Sequence, residues 1–163
     1  MLGDALSIQC IPNGVDLAAF APGDKSAARQ ALGIRDSAKV ILFVAARVIQ
    51  GRKGLAYLYE ALHSMQNTED VLLLTVGSTE PSHQQLQRFE QLHLGHIADE
   101  SRLNLAYNAA DMYVLPTLAD NQPLTVVESL ASGTPVVAFD TGGIPEMVTH
   151  LHTGYLARYK DAA

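Results

Sequence analysis

Two acidic residues, Asp120 and Glu128, flank a segment whose composition suits a ligand-binding turn. Pro123 fits the first turn of a helix because proline has no N–H to lose there. The N–H groups of Leu124 and Thr125 then point out of the helix start without partners, and such a start attracts phosphate. Glu128 follows on the same helix, where a carboxylate is badly placed for a phosphate. It is well placed to accept hydrogen bonds from sugar hydroxyls attached to that phosphate.

A cationic group, made of Arg47, Arg52 and Lys53, follows an apolar run at 40–45 that predicts a buried strand. The net charge of the chain is −6, so a local cluster of cations indicates an anionic ligand. Arginine can fork onto two phosphate oxygens, and lysine supplies a mobile point charge. A solvated loop with ordinary basic residues is the alternative interpretation.

The elements that must position these residues alternate along the chain between strands and helices. Buried strands are predicted at 40–45, 71–76, 112–115 and 136–139, with a short strand near 92–94. Helices are predicted at 55–65, at 82–92, from a capping Asp99 through 109 with Leu103, Ala106 and Tyr107 inward, and at 124–132. This order implies an α/β fold, a doubly wound parallel sheet of Rossmann-like type.

Ligands of such sheets bind beyond the carboxyl ends of the strands, which places residues 47–53, 77–80, 117–124 and 140–143 along one rim. Residues 18–30 read as a softer region with a turn at Pro22, Gly23 and Asp24. The head, 1–9, and the tail after Leu156 read as loosely specified.

Length and composition favour one soluble domain. The chain has 163 residues, 48% of them hydrophobic and 17% charged, which suits an α/β domain with a largely buried sheet. Its negative charge argues against general binding to nucleic acid or anionic membrane. Cys10 is the single cysteine, so an internal disulfide and a cysteine-based metal site are excluded. Without a membrane-length apolar run or a signal peptide after Met1, we expect a cytoplasmic setting.

Five segments, in order, resemble retaining, nucleotide-sugar-dependent glycosyltransferases of family 4, which have the GT-B fold. They are 11–16 (IPNGVD), Arg47 with Lys53-Gly54, 109–116 (AADMYVLP), 120–128 with its two acids, and 141–146 (TGGIPE). Each motif is weak alone, but their order covers the chain from about Cys10 to Tyr155.

The resemblance implies roles for particular residues. Arg47, Lys53 and Asp120 would be catalytic, the cations by neutralising the diphosphate and Asp120 by holding a sugar hydroxyl. Glu128 would accept hydrogen bonds from the ribose. The other donor-binding residues would be Arg52, Gly95, His96, Ile97, Asn121, Gln122, Leu124 and Thr125.

Several departures from the family pattern leave alternatives open. Asp120 stands where the family more often has Glu, and its alternative role is to cap a turn or helix. Asn121, Gln122 and Pro123 replace a common Gly-Phe-Gly. The spacing from Arg47 contains an extra residue, so either Arg52 or Lys53 can take the role of the family lysine.

Other candidate features have ordinary alternatives. The resemblance places the backbone of Gly95 to Ile97 at the nucleobase, but the match at this segment is weak. Glu128 can alternatively be an ordinary residue on the helix surface. Gly142 and Gly143 make either a tight turn or a backbone approach to the ligand. His150 and His152 lack an acidic or cysteine partner at a fixed spacing for zinc.

We therefore expect the donor-binding domain, 1–163, of a glycosyltransferase that transfers a sugar with retention. We expect it to lack the N-terminal acceptor domain, its partner in the same chain, and the final C-terminal helices. We expect no metal and no cofactor other than the nucleoside-diphosphate sugar as co-substrate, and no binding to nucleic acid. The resemblance is also compatible with a peripheral association of the whole protein with a membrane. A nucleotide-sugar 2-epimerase, a non-catalytic nucleotide-sugar-binding domain and an unrelated flavodoxin-like domain are the alternatives.

Overall fold

The computed structural model describes Gln9 and residues 11–45, 51–78 and 88–162. Within these residues, six strands form one parallel sheet. The strands are β1 (Lys39–Val44), β2 (Val71–Val76), β3 (Glu90–His93), β4 (Met112–Leu115), β5 (Val136–Phe139) and β6 (Gly154–Ala157). The α-helices are α1 (Lys25–Leu32), α2 (Leu55–Ser64), α3 (Glu100–Ala109) and α4 (Leu124–Ala131).

The strand order, β3-β2-β1-β4-β5-β6, confirms the predicted doubly wound sheet. β1 lies between β2 and β4, with Ile41 paired to Leu73 on one side and to Met112 on the other. The order reverses at this point, because the chain builds outward from β1 in both directions. A sheet of this type opens a crevice at the carboxyl ends of the strands where the order reverses. The loops after β1 and β4 therefore border the natural ligand position.

Both faces of the sheet are covered, which explains why the central strands read as unbroken apolar runs. Leu42 and Leu74 lie in the core cluster on the side of α3 and α4. Phe43 and Leu73 lie in the cluster that includes Leu62 of α2. Successive side chains of a strand point to opposite faces, so neighbouring residues serve different cores.

Most predicted elements are confirmed. β2, β4 and β5 have the predicted bounds, and β1 and α2 are shifted or shortened by one residue. α3 begins after Asp99, whose carboxylate accepts the N–H of Arg102 at 3.1 Å as a cap. The short third strand lies at Glu90–His93, slightly earlier than predicted.

The prediction of a softer region at 18–30 was wrong for its second half, which forms α1. Asp24 caps this helix by accepting the N–H of Ala27 at 2.9 Å, and Gly33 ends it with φ 70°. The buried residues of α1 are Ala28 and Arg29. The segment is polar on average and its two buried residues are a small side chain and a charged one, so its composition did not predict a helix.

Two other expectations are corrected by strand pairing. The helix predicted over 82–92 cannot reach its predicted end, because residues from Glu90 onward pair with β2, and 79–87 lie outside the described residues. The tail expected to be loose after Leu156 includes the end of β6, which pairs with β5. β6 is four residues long and only partly buried, so its sequence carries a weak strand signal.

Candidate functional site

The loop after β1 and the loop after β4 meet at the crevice. Gly54 follows the short 3-10 turn Gly51–Lys53 and has φ 73°. A Cβ atom on Gly54 would lie 1.7 Å from the carbonyl oxygen of Pro116, so only glycine fits this approach. The N–H of Leu118 also donates to the carbonyl oxygen of Arg52 at 2.9 Å. These contacts fix the basic turn against the segment that carries Asp120.

Asp120 is bound by the cations that the sequence assigned to phosphate. Lys53 Nζ lies 2.9 Å from Asp120 Oδ2, and Arg52 Nη1 lies 2.6 Å from Oδ1. The buried hydroxyl of Thr117 donates to Oδ2 at 2.6 Å. The side chains of Lys53 and Asp120 are 17% and 14% exposed, whereas Arg52 is 51% exposed. Lys53 is therefore the desolvated member of the pair and Arg52 the solvated one.

The pKa of Asp120 lies below its usual value. Burial of the carboxyl pushes the pKa upward, but the hydrogen bonds from Thr117, Lys53 and Arg52 together outweigh burial. The carboxylate is thus held ionised at neutral pH.

The Asp120 carboxylate keeps capacity for a further donor. An ionised carboxylate has about four acceptor positions. Oδ2 accepts from Lys53 and Thr117, and Oδ1 accepts from Arg52. One position on Oδ1 remains, at the edge of an open cavity of about 330 Å³ that Arg52, Asn121 and Gly142 also line.

The glycine pair after β5 supports the same loop. Gly142 has φ 57°, and a Cβ atom there would lie 2.2 Å from the carbonyl oxygen of Asp120. A Cβ atom on Gly143 would lie 1.9 Å from the carbonyl oxygen of Asn121, and the Gly143 N–H donates to Asp120 O at 3.1 Å. The predicted tight turn is confirmed, and its close approach is to the Asp120–Asn121 backbone.

α4 begins at this loop with an open end. Pro123 occupies the N-cap position, and no side chain in the described part of the protein caps the helix. Leu124 is 49% exposed. The Thr125 hydroxyl accepts a hydrogen bond from Tyr113 at 2.8 Å, so the first turn is anchored to β4. The N–H groups of Leu124 and Thr125 are at the exposed helix start, as the proline predicted.

Glu128 lies one turn further along α4 and is not a plain surface residue. Its Oε2 accepts a hydrogen bond from the Tyr107 hydroxyl at 2.8 Å. Burial raises the pKa of Glu128, the Tyr107 bond opposes that rise, and the charge of Glu100 adds to it. The fully buried residues of the helix are Val126 and Ser129, whereas Val127 and Leu130 on either side of Glu128 are only partly buried.

The remaining predicted site residues do not all lie near Asp120. Gln122 accepts the Asn13 N–H through Oε1 at 2.7 Å, which joins the 11–16 segment to the loop. Arg47 lies outside the described residues. The carbonyl oxygen of Gly95 accepts the Gly77 N–H at 2.9 Å, His96 is exposed, and Ile97 packs against the core. From the strand order, the end of β3 stands three strand spacings, roughly 14 Å, from the end of β4.

Thr117, Tyr107 and Asn13 contact the predicted site residues, although the sequence assigned none of them a catalytic or donor-binding role. Thr117 lies two residues past the end of β4, in the 117–124 stretch that the sequence placed on the ligand rim. Tyr107 was predicted to face inward, and a buried tyrosine hydroxyl usually has a polar partner. No local signal connects Asn13 to Gln122, because the contact spans 109 positions in the chain.

Neither metal clusters nor membrane helices occur in the part of the chain that the structure describes. No three His, Cys, Asp or Glu side chains there could jointly hold a metal ion. His150 instead accepts the Leu156 N–H through Nδ1 at 3.0 Å. No helix among these residues has the length and apolar character needed to cross a membrane.

Comparisons with known proteins agree with this geometry. The family model for glycosyl transferases group 1 matches residues 38–163. A D-inositol 3-phosphate glycosyltransferase of Segniliparus rotundus is 34% identical over 94% of this chain and 36% of its own length. Sucrose-phosphate synthase from Thermosynechococcus elongatus superposes with TM-score 0.79 at 28% identity, over 93% of this chain and 40% of its own. Anabaena HepE, in complex with UDP and glucose, gives TM-score 0.72 at 27% identity, over 92% of this chain and 43% of its own.

The fold and the crevice define a doubly wound α/β domain of the kind found in GT-B glycosyltransferases, whose C-terminal domain it fits. The chain belongs to the glycosyl transferases group 1 family. It spans roughly a third to two fifths of the length of the curated relatives that it matches.

Proposed function

We propose that this chain is the nucleotide-sugar-binding domain of a retaining glycosyltransferase whose acceptor is held by a second domain. The observation that carries the proposal is that Lys53 and Arg52 contact Asp120, in the loop that leads into the uncapped start of α4, beside the crevice between β1 and β4. Family membership supports a glycosyltransferase, and HepE in complex with UDP and glucose makes UDP the first nucleotide to test.

The diphosphate would lie across the start of α4. The N–H groups of Leu124 and Thr125 would donate to phosphate oxygens, and the helix dipole would favour their negative charge. Lys53 would turn from Asp120 toward the same phosphate. Arg47, predicted from the family pattern, would add a second cation.

These groups would serve the chemical step. When the bond from the anomeric carbon to the β-phosphate oxygen breaks, its electron pair stays on the diphosphate. Cations and N–H groups that stabilise this developing charge lower the barrier, usually by the largest single contribution. The acceptor oxygen would then form its bond to the anomeric carbon on the same face, and its hydroxyl proton would pass to the leaving diphosphate. Asp120 would accept a sugar hydroxyl on the free position of Oδ1, and Glu128 would accept the ribose hydroxyls.

A ligand panel tests the proposal. Thermal shift and NMR titration of the 163-residue chain with UDP-, GDP- and ADP-sugars should show binding that is selective for one base. Lys53→Met should weaken that binding by roughly tenfold or more, since a hydrogen bond to a charged group is lost.

Lys39→Met is the matched control. Lys39 is exposed and starts β1 at the amino end, on the opposite edge of the sheet from Lys53. Equal effects of the two substitutions, or no binding to any nucleotide sugar, would contradict the proposal.

A further inference from the structure

One hydrogen bond joins the interior of the protein to the proposed ribose site. The hydroxyl of Tyr107, on α3, donates to Glu128 Oε2, on α4, at 2.8 Å. Tyr107 is fully buried, whereas Glu128 is partly exposed. The contact therefore runs from the core to a side chain that a ligand can reach.

The Tyr107 ring is held on several sides. It packs edge-on against Phe20, with centroids 6.2 Å apart, and against Tyr113, with centroids 5.8 Å apart. Its carbonyl oxygen accepts the buried Thr134 hydroxyl at 2.8 Å. The packing leaves the phenolic hydroxyl little freedom, so it acts as a fixed donor.

The two oxygens of Glu128 differ in consequence. Oε2 accepts from Tyr107, while Oε1 has no hydrogen-bond partner among the described residues. A carboxylate is planar, so a fixed Oε2 restricts where Oε1 can lie. The backbone of Glu128 is restrained as well, because its carbonyl oxygen accepts both the N–H and the hydroxyl of Ser132.

We propose that Tyr107 is a positioning residue that orients the Glu128 carboxylate so that Oε1 can accept a sugar hydroxyl of a bound nucleotide. This inference rests on the proposed function. Tyr107 itself would touch no ligand, because it is buried beneath α4. Its contribution to affinity would come from removing the rotational freedom that Glu128 would otherwise lose on binding.

The hydrogen bond also affects the charge of Glu128. The titratable or charged groups facing it in the described structure are Tyr107 and Glu100 from α3 and Tyr113 from β4. Of these, Tyr107 is the one that donates a hydrogen bond to the carboxylate. Loss of that bond should raise the pKa of Glu128 further, so the carboxylate would protonate at a higher pH.

A double-mutant cycle with UDP as the probe tests the proposal. Tyr107→Phe should weaken UDP binding by about fivefold, the loss expected from one ordinary hydrogen bond. Glu128→Ala should weaken it at least as much. Tyr107→Phe added to Glu128→Ala should cause no further loss of affinity, because no carboxylate remains to be oriented.

Ser129→Ala is the control for a purely structural effect. Ser129 follows Glu128 on α4, is fully buried and donates to the carbonyl oxygen of Thr134 at 2.8 Å. Its substitution removes a buried hydroxyl from the same helix without touching the carboxylate. We expect a lower Tm with UDP affinity within twofold of the wild type.

The outcomes separate this inference from the proposed function. If Tyr107→Phe lowers Tm but leaves UDP affinity unchanged, or weakens UDP equally in the Glu128→Ala background, the positioning role is overturned. If Glu128→Ala binds UDP like the wild type, the ribose role in the proposed function fails, and the positioning role fails with it.

A pH profile measured with UDP-glucose provides a second readout when UDP binding to Glu128→Ala is too weak to measure. In Tyr107→Phe, the midpoint of the acidic loss of affinity should move to higher pH. An unchanged midpoint together with unchanged affinity at neutral pH would overturn the positioning role.

Discussion

Asp120 holds the cations that the proposed function assigns to the diphosphate, so Asp120→Asn is the most informative substitution. In the free protein, the Asp120 carboxylate pairs with Lys53 and Arg52, so a diphosphate must compete with this carboxylate for both cations when it binds. Asparagine keeps the size and can still accept from Thr117, but it removes the negative charge. We therefore expect Asp120→Asn to bind UDP more tightly than the wild type does.

The magnitude follows from the surroundings of the pair. Two unit charges 4 Å apart interact by about 1 kcal/mol in water and about 4 kcal/mol at an effective dielectric constant of about 20. Asp120 is 14% exposed, and a phosphate that meets Lys53 would lie somewhat further from it. Removing the repulsion is thus worth about 1–2 kcal/mol, or roughly 5- to 30-fold in UDP affinity.

UDP-glucose should respond differently. If Oδ1 accepts a sugar hydroxyl, Asp120→Asn loses part of that contact, which offsets the gain at the diphosphate. The ratio of UDP-glucose affinity to UDP affinity should therefore fall. The same substitution should also lower Tm, because Lys53 is mostly buried and loses its charged partner.

Titration of Asp120→Asn with both ligands, by calorimetry or NMR, measures these effects. Asp140→Asn is the control for net charge, since Asp140 is exposed and follows β5 on the same rim. A weaker UDP affinity in Asp120→Asn would refute the reasoning. The carboxylate would then position the cations for the ligand rather than compete with it.

Three further outcomes are expected. UDP-glucose affinity should fall on acidification, and the fall should begin at a higher pH than an ordinary glutamate would cause, because burial raises the pKa of Glu128 and its protonated form loses an acceptor. Glu128→Gln should flatten the profile, and an unchanged profile would contradict this role. Gly54→Ala should lower the free energy of unfolding, measured by chemical denaturation, by several kcal/mol because its Cβ atom would meet a carbonyl oxygen. Gly33→Ala, which has a similar positive φ but no atom near its Cβ position, should lower it by about 1 kcal/mol. Equal losses would refute the close-approach argument. Asp111→Asn should destabilise by about 2–3 kcal/mol because a buried arginine loses its partner, against at most about 1 kcal/mol for the exposed Asp70→Asn. Burial pushes the pKa of Asp111 up, but its hydrogen bonds and the nearby cations hold that pKa below the ordinary value. The stabilisation from Asp111 is therefore present at pH values above the ordinary pKa, and it should be lost as the pH falls through the lowered pKa.

Much of the fold was readable because the decisive signals are local. The β-branched and leucine-rich runs of β1 and β2 predict strands that are buried on both faces, and Asp99 marks the start of α3. α1 was not predicted as a helix, because its buried residues are an alanine and an arginine. Arg29 is stable inside because Asp111 and the carbonyl oxygens of Ala109 and Asp36 accept from its guanidinium. Two of these partners, Ala109 and Asp111, are 80 and 82 positions away in the chain.

The sequence by itself determined the strand–helix alternation, the family resemblance and the two loops that supply the candidate residues. Only the tertiary structure decided which of those residues contact one another. Asp120 is paired with Lys53 and Arg52 because β1 and β4 are neighbours in the sheet, although the residues are 67 and 68 positions apart in the chain. Glu128 is oriented from the core because α3 places Tyr107 beneath α4. Spacing along a chain predicts what a segment can form, whereas side-chain partners depend on strand order and helix packing, which bring distant segments together.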